Sequence, residues 1–253
     1  MRSPHFFIAM LFLTTLSACS SSNRLFKAGL VQPSPFFEQP WLARNGGEHL
    51  PFQKVWTTPD QRVLADGLQK RKLYIAPVTL AYLRPMSKTL PSQEVVWGVQ
   101  RQEVAIAMRL REEFVNAFCR SPRPFYRLVS QPGADTLTLQ LALIELHPTS
   151  PKGNVVMTVM KFAVTPFATL GRLFTKGNIA IEGKVLVSKT GRAYFQFADN
   201  EQDKLTFINT RDFQPYGHAV NTIRDWAVQF EAMTRTPAGW RVQDSNSVTL
   251  RPN

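Results

Sequence analysis

The chain has 253 residues, of which 44% are hydrophobic and 19% are charged, and its formal net charge is +12 at neutral pH. This length and apolar content suffice for one sizeable domain or two small ones with a buried core. The composition is therefore that of a globular protein, and the positive charge favours an anionic partner.

The first 19 residues have the features of a bacterial export signal. Arg2 and His5 precede an apolar run at 6–13, which is far too short for the roughly 20 residues of a bilayer span but suits a secretory signal. The following Leu16-Ser17-Ala18-Cys19 resembles the lipobox of bacterial lipoproteins. Since a cysteine thiolate is the strongest side-chain nucleophile for alkylation, we predict that residues 1–18 are removed and that Cys19 is lipidated.

This motif also predicts the location of the protein. In proteins with such a lipobox the next residue directs sorting, and Ser20 in place of aspartate indicates the periplasmic face of the outer membrane. Two or three acyl chains, palmitate among them, give stable anchoring. An ordinary signal peptide with a chance cysteine and a retained transmembrane anchor are the alternatives. With Cys19 acylated, Cys119 has no internal partner, and we expect it to be buried as a small hydrophobe.

The predicted export also limits the classes of anionic partner that the protein can meet. Nucleic acid is excluded, whereas phospholipid headgroups, lipopolysaccharide phosphates and acidic envelope polymers are the anions of the periplasm. Each Lys or Arg near an anionic surface contributes about 1 kcal/mol. The alternative interpretation is that distributed basic residues only confer solubility, and both stay open.

The mature chain begins with the lipidated cysteine and a polar tether, residues 19–32. Residues 33–59 are predicted to be an irregular apolar arm that packs on the body, because several prolines interrupt a stretch rich in Phe and Trp. Residues 60–253 are predicted to form a single domain. It opens with a short helix at about 60–69, where apolar residues recur at helical spacing.

A strand at 72–78 and a long helix at about 92–120 follow. Ser92 is the predicted N-cap and Glu94 lies in the first turn, where it interacts favourably with the helix dipole. One helical face is apolar with a single polar break, and its members are Val96, Val99, Glu103, Ala107, Leu110, Phe114 and Phe118.

Two hairpins are predicted next. Residues 125–130 and 135–147 flank a turn at 131–134, and the second strand alternates with four leucines on one face: Leu137, Leu139, Leu141 and Leu143. The other hairpin pairs 179–187 with 193–197 across a turn at 189–192.

The last helix is predicted at about 214–234, and a final strand near 247–251. The apolar stripe of this last helix leaves Arg224, Asp225 and Glu231 facing outward. The order of elements predicts an α+β two-layer sandwich, in which the helices at about 92–120 and 214–234 lie on one face of a largely antiparallel sheet.

Several phrases together resemble a known family. They are Asp135-Thr-Leu-Thr-Leu139, Gly177-Asn-Ile-Ala-Ile-Glu-Gly183, Phe197-Ala-Asp-Asn-Glu-Gln-Asp-Lys204, and Tyr216-Gly-His with Asp225-Trp226-Ala227. The chain resembles, over roughly residues 50 to 235, the bacterial lipoprotein family catalogued as domain of unknown function three thousand three hundred and thirteen. The resemblance implies an envelope lipoprotein of one compact domain, with no assigned activity. Where the family tends to have arginine, this chain has Asn200.

The chemistry-bearing residues form no recognisable catalytic or metal motif. Asp199, Glu201 and Asp203 alternate and could hold Ca²⁺, but no glycine-bearing loop surrounds them, and we interpret them as a solvated strand end. The three histidines after the signal, at positions 49, 147 and 218, lack zinc spacing, and there is no Gly-x-Ser-x-Gly elbow. We expect His218 to cap or pack, and predict no cofactor and no metal.

The segment 155–174 is twenty residues long and strongly apolar. Phe167, Leu170 and Phe174 recur at steps of three and four beside Arg172 and Lys176, which predicts a short amphipathic turn. It could contact lipid, dock a partner or cover the sheet, and we favour the interpretation that it covers the sheet.

The sequence thus predicts a non-catalytic binding or assembly module, held at the outer membrane by acyl chains on Cys19. Its possible contacts are an anionic lipid, an envelope polymer and an envelope protein. The first alternative is an accessory role in lipid or envelope-polymer transport, and the second is an envelope hydrolase.

Overall fold

The structure is a computed structural model that describes residues 32–37, 44–45, 50–84, 93–148, 177–202, 205–206, 216–237, 240–242 and 248–249. Its helices are α1 (Gln61–Gln69), α2 (Gln93–Arg120) and α3 (Gly217–Arg235). Its strands are β1 (Arg44–Asn45), β2 (Lys54–Thr57), β3 (Lys72–Ile75), β4 (Arg127–Val129), β5 (Thr136–His147), β6 (Asn178–Val187), β7 (Arg192–Gln202), β8 (Leu205–Thr206) and β9 (Val248–Thr249).

Seven strands form one mixed sheet in the order β1-β2-β7-β6-β5-β3-β4. The four pairs from β1 through β5 are antiparallel, whereas β3 runs parallel to both of its neighbours, β5 and β4. The strands β8 and β9 form a separate parallel pair. The predicted α+β class is therefore confirmed.

One predicted hairpin is confirmed and the other is wrong. The strands β6 and β7 pair across a tight turn in which Gly191 has a positive φ of 69°, a conformation that glycine adopts without strain. In contrast, β4 does not pair with β5, because β3 lies between them and binds both. The alternation of β5 identified a half-buried strand, but alternation carries no information about which strand is the neighbour.

The helices pack on one face of the sheet and enclose the main core. The four alternating leucines of β5 are fully buried there, together with Leu110 and Phe114 of α2 and Ile223 and Trp226 of α3. We call this side of the sheet the helix face. Asp60 is the N-cap of α1, and its carboxylate accepts hydrogen bonds from the main-chain nitrogens of Arg62 and Val63.

Residues 32–37 pack on the opposite side of the sheet, which we call the far face. Phe36 and Phe37 are buried against Ala142, Ile144, Ala180 and Ala198. The strand β2 also lies within the predicted irregular arm and pairs with β7. The described residues of the predicted arm therefore either pack on the sheet or pair within it.

Two predictions about side-chain exposure are wrong. Glu231, predicted to face outward, is buried, because it accepts a hydrogen bond from Ser121 Oγ at 2.6 Å and pairs with Arg235 at 3.0 Å. Cys119, predicted to be buried, is exposed. It follows Phe118 on α2, and only the phenylalanine points into the core.

Candidate functional site

The residues that the sequence singles out for lipid or partner contact lie outside the described residues. They are Cys19, Phe167, Leu170, Arg172, Phe174 and Lys176, and His49 and Asp203 are outside as well. The site that the structure does describe is the place where residues 32–37, which begin at the last residue of the predicted tether, meet the far face of the sheet.

A buried carboxylate holds this segment. Glu182 on β6 is 3% exposed and points to the far face. Its two carboxylate oxygens accept hydrogen bonds from Ser34, one from the main-chain nitrogen at 2.8 Å and one from Oγ at 2.6 Å. Burial raises the pKa of Glu182, while the hydrogen bonds from Ser34 act in the opposite direction.

Aromatic packing adds to this contact. The ring of Phe36 meets Tyr82 edge-on, with 5.5 Å between the centroids, and the Lys184 ammonium lies 4.3 Å from the Phe36 centroid. The small side chains of Ala180 and Ala198 leave room on the sheet for the two phenylalanine rings. The segment is therefore held by shape as well as by hydrogen bonds.

Arg84 makes a third connection. Its guanidinium donates to the main-chain oxygen of Gln32 and pairs with Glu145 at 2.9 Å. Asn178 donates to the other carboxylate oxygen of Glu145 at 2.9 Å. Two separate carboxylates, on neighbouring strands, thus fix the direct continuation of the predicted tether onto the body.

A second buried carboxylate lies on β7. Asp199 is 2% exposed and accepts hydrogen bonds from Trp226 Nε1 at 2.6 Å and from the main-chain nitrogen of Gln53 at 3.2 Å. Glu201 is also buried. The interpretation of Asp199 and Glu201 as a solvated strand end is therefore wrong. Both residues lie in the second half of β7, which is buried.

The partnership of Asp199 with Trp226 was not found from the sequence. Both residues belong to the phrases that carry the family resemblance, yet they are separated by 27 positions. A tryptophan indole and an aspartate that lie far apart in the chain give no local pattern, so only the packing of α3 on β7 brings them together.

His218 lies in the first turn of α3 and is buried. Burial lowers its pKa to about 4, the nearby His147 acts in the same direction, and a hydrogen bond with the main chain of Asn178 opposes them. The side chain is therefore neutral at pH 7. Its burial agrees with the packing role predicted for it.

A pocket lies beside Glu182, and its lining includes two carboxylates, Glu182 and Asp199. Both are already engaged in the hydrogen bonds described above. Among the described residues, no group of three or more His, Cys, Asp or Glu side chains is placed to hold a metal ion. Within that same part of the chain, no helix is both long and apolar enough to cross a membrane.

The fold and this site define an α+β domain with a covering N-terminal segment. The family model described as "Protein of unknown function (DUF3313)" matches residues 34–230. This stretch is more than half of the chain, so the protein belongs to that family, as the resemblance indicated. No curated protein matches the chain significantly.

Two solved structures are similar to parts of the chain. Both are PelC dodecamers from Paraburkholderia phytofirmans, and one is a leucine-to-methionine variant. The variant is 8% identical, with 70% of this chain and 95% of that chain covered and a TM-score of 0.33. The other is 9% identical, with 69% and 96% covered and a TM-score of 0.32. Scores at this level carry no argument about function.

Proposed function

We propose that this protein is a lipid-anchored lipoprotein on the periplasmic face of the outer membrane, where it acts as a binding or assembly module without a reaction of its own. The absence of a reaction is supported by the hydrogen bonds of the two carboxylates that line the pocket. Glu182 is bound to Ser34 and Asp199 to Trp226 and Gln53, so each serves a structural contact.

The lipobox at residues 16–19 supports the first half of the proposal. Gln32 lies only thirteen residues after Cys19, and residues 34–37 are held against the sheet. Thirteen extended residues reach at most about 45 Å. A lipid on Cys19 would therefore keep the domain within that distance of the bilayer.

The chain offers a matched pair of cysteines for testing the anchor. We expect Cys19→Ser to block incorporation of labelled palmitate, to leave the precursor uncleaved, and to abolish acyl-dependent retention in the membrane fraction. Cys119→Ser should change none of these, because Cys119 is an exposed side chain on α2. Unchanged labelling and processing in Cys19→Ser would refute the lipoprotein assignment.

The absence of a reaction is tested at Glu182. The variant Glu182→Gln keeps an acceptor for the main-chain nitrogen of Ser34 but removes any acid or base function. We expect it to retain the crosslinks that the wild-type protein forms in the intact envelope. Loss of function with a retained fold and retained crosslinks would instead favour the hydrolase alternative.

A further inference from the structure

One end of the sheet collects basic residues. The strands β3, β4 and β5 run in parallel, and Lys72 is aligned with Arg127 on one side and with Thr136 on the other. The turn between β6 and β7 lies at the same end, because Val187 pairs with both Leu137 and Arg192. We call this region the basic end; its basic residues are Lys70, Arg71, Lys72, Arg127, Lys189 and Arg192.

Half of these positive charges are balanced by neighbouring carboxylates. The pairs are Lys70 with Asp66 at 2.8 Å, Lys72 with Asp135 at 2.5 Å and Arg192 with Asp60 at 2.8 Å. The hydrogen bond from Lys72 lowers the pKa of Asp135, which keeps that acid ionised.

The other three basic residues, Arg71, Arg127 and Lys189, are exposed, and the structure gives them no acidic partner among the residues it describes. The basic end therefore keeps an excess of positive charge that neighbouring carboxylates do not offset. Such an excess is available to an anionic surface.

The same end exposes large apolar side chains. Leu68 at the end of α1 is 55% exposed, and Phe125 before β4 is 37% exposed. Arg71 joins them, because its guanidinium lies 4.3 Å from the Phe125 centroid and donates to the main-chain oxygen of Leu68 at 2.7 Å. Arg71 thus connects the ring of Phe125 to the end of α1, where the Leu68 side chain is exposed.

We propose that the basic end binds the surface of an anionic phospholipid bilayer. Lysine and arginine are attracted to the headgroup phosphates, and exposed apolar side chains gain free energy when they enter the interface. A soluble acidic polymer would satisfy the charges but offer no apolar phase to Leu68 and Phe125. The inference deepens the proposed function by naming a partner, and it rests on the membrane location proposed there.

The reach of the tether agrees with this placement. Arg84 holds Gln32 near Glu145, which is nine residues along β5 from Thr136, or about 30 Å. The stretch between Cys19 and Gln32 extends to at most about 45 Å. The basic end can therefore meet the same bilayer that holds the acyl chains.

The test uses the full chain carrying Cys19→Ser, so that acyl chains do not contribute. Binding is measured by cosedimentation with vesicles of phosphatidylcholine alone and with vesicles that also contain phosphatidylglycerol. We expect phosphatidylglycerol to increase binding and added salt to reduce that increase, because salt screens the attraction. Binding to pure phosphatidylcholine is the baseline, which includes any contribution of the apolar residues 6–13.

Variants identify the surface. We expect Arg127→Gln and Lys189→Gln each to lower the phosphatidylglycerol-dependent partition about fivefold, and roughly 25-fold together. The matched control is Arg101→Gln, which should leave the partition unchanged. Arg101 is also an exposed arginine, but it lies in the N-terminal half of α2. Phe125→Ser should weaken binding to both kinds of vesicle. Circular dichroism checks that each variant is folded.

Three results would overturn the inference. The first is no gain from phosphatidylglycerol, and the second is an equal loss in Arg101→Gln. The third is binding of soluble alginate that depends on Arg127 and Lys189 without any vesicle binding, which would make this end a polymer site. Since Cys19 is absent from the measurement, none of these results bears on the lipidation test.

Discussion

The two faces of the sheet are held in different ways. On the helix face, the leucines of β5 and the aromatic residues of α2 and α3 form one continuous apolar core. On the far face, a short segment is held by the carboxylate of Glu182, by Arg84 and by two phenylalanine rings. The first face depends on apolar area removed from water and the second on a few directional contacts.

This difference has a consequence for stability. Deleting a methylene group from the helix face weakens the whole domain, because helices and sheet share that core. A lost hydrogen bond on the far face acts first on residues 32–37, since few residues depend on it. Local release of the segment is therefore expected at a lower free energy than global unfolding.

The largest expected effect is on the helix face. Leu141 is fully buried, so Leu141→Ala should lower the free energy of unfolding by about 3 kcal/mol through lost transfer free energy and the cavity left behind. Leu68→Ala makes the same chemical change at an exposed site and should stay within about 0.5 kcal/mol of wild type. Urea denaturation measures both. Equal effects would contradict the described core.

A glycine on β6 gives the next largest effect. A Cβ added to Gly183 would lie 2.2 Å from Phe197 Cζ, so the ring would have to move. We expect Gly183→Ala to destabilise the fold by about 2 kcal/mol. Gly133→Ala is the control, because its nearest neighbours lie at 3.7 and 3.8 Å. A stabilised Gly183→Ala protein would disprove the ring placement.

The pH dependence of the helix layer follows from His218. Its pKa of about 4 in the folded protein lies below the ordinary value of about 6.5 in the unfolded chain, so the unfolded chain binds the proton more tightly. Stability should fall as the pH drops below 6.5, by about 2 kcal/mol between pH 7 and pH 5.

The variant His218→Gln isolates this contribution, and urea midpoints at the two pH values provide the measurement. The raised pKa of Glu182 acts in the opposite sense, so the comparison is between wild type and variant at each pH. The same loss in both proteins would show that His218 is not the group responsible.

The smallest global effect is expected on the far face. Glu182→Ala leaves the main-chain N–H of Ser34 without its acceptor and should cost about 1 kcal/mol. Glu182→Gln should be close to neutral, because an amide keeps an acceptor and removes a buried charge. Hydrogen exchange at Phe36, whose N–H binds Ser34 Oγ, should accelerate only in Glu182→Ala. Loss of protection across α2 would mean that the segment is not a local unit.

Much of the helix face could be predicted because its pattern is local. The alternation in β5 and the apolar stripes of α2 and α3 repeat with the periods of strand and helix, and burial follows the repeat. The outward prediction for Glu231 failed because helical spacing cannot anticipate Ser121, which directly follows α2 and donates a hydrogen bond to the Glu231 carboxylate. Periodicity describes one element at a time.

The far face could not be predicted for the same reason. Ser34 and Glu182 are 148 positions apart, and although Glu182 belongs to one of the phrases that carry the family resemblance, no local pattern connects the two residues. The basic end could not be predicted either, because it depends on β3 pairing with both β4 and β5. Only six residues separate β4 from β5 in the chain, and this short separation led to the wrong prediction of a hairpin. The pairing of a strand depends on competition among all strands, and no single segment encodes that choice.

The sequence by itself predicts an export signal with a lipobox, and it determined the position of the main elements and the α+β class, because each of these follows from a pattern in consecutive residues. Only the tertiary structure decided that β3 separates β4 from β5, that residues 32–37 pack on the far face, and that six basic residues share one end. These features depend on hydrogen bonds and packing between residues far apart in the chain, and those contacts exist only once the whole sheet has formed.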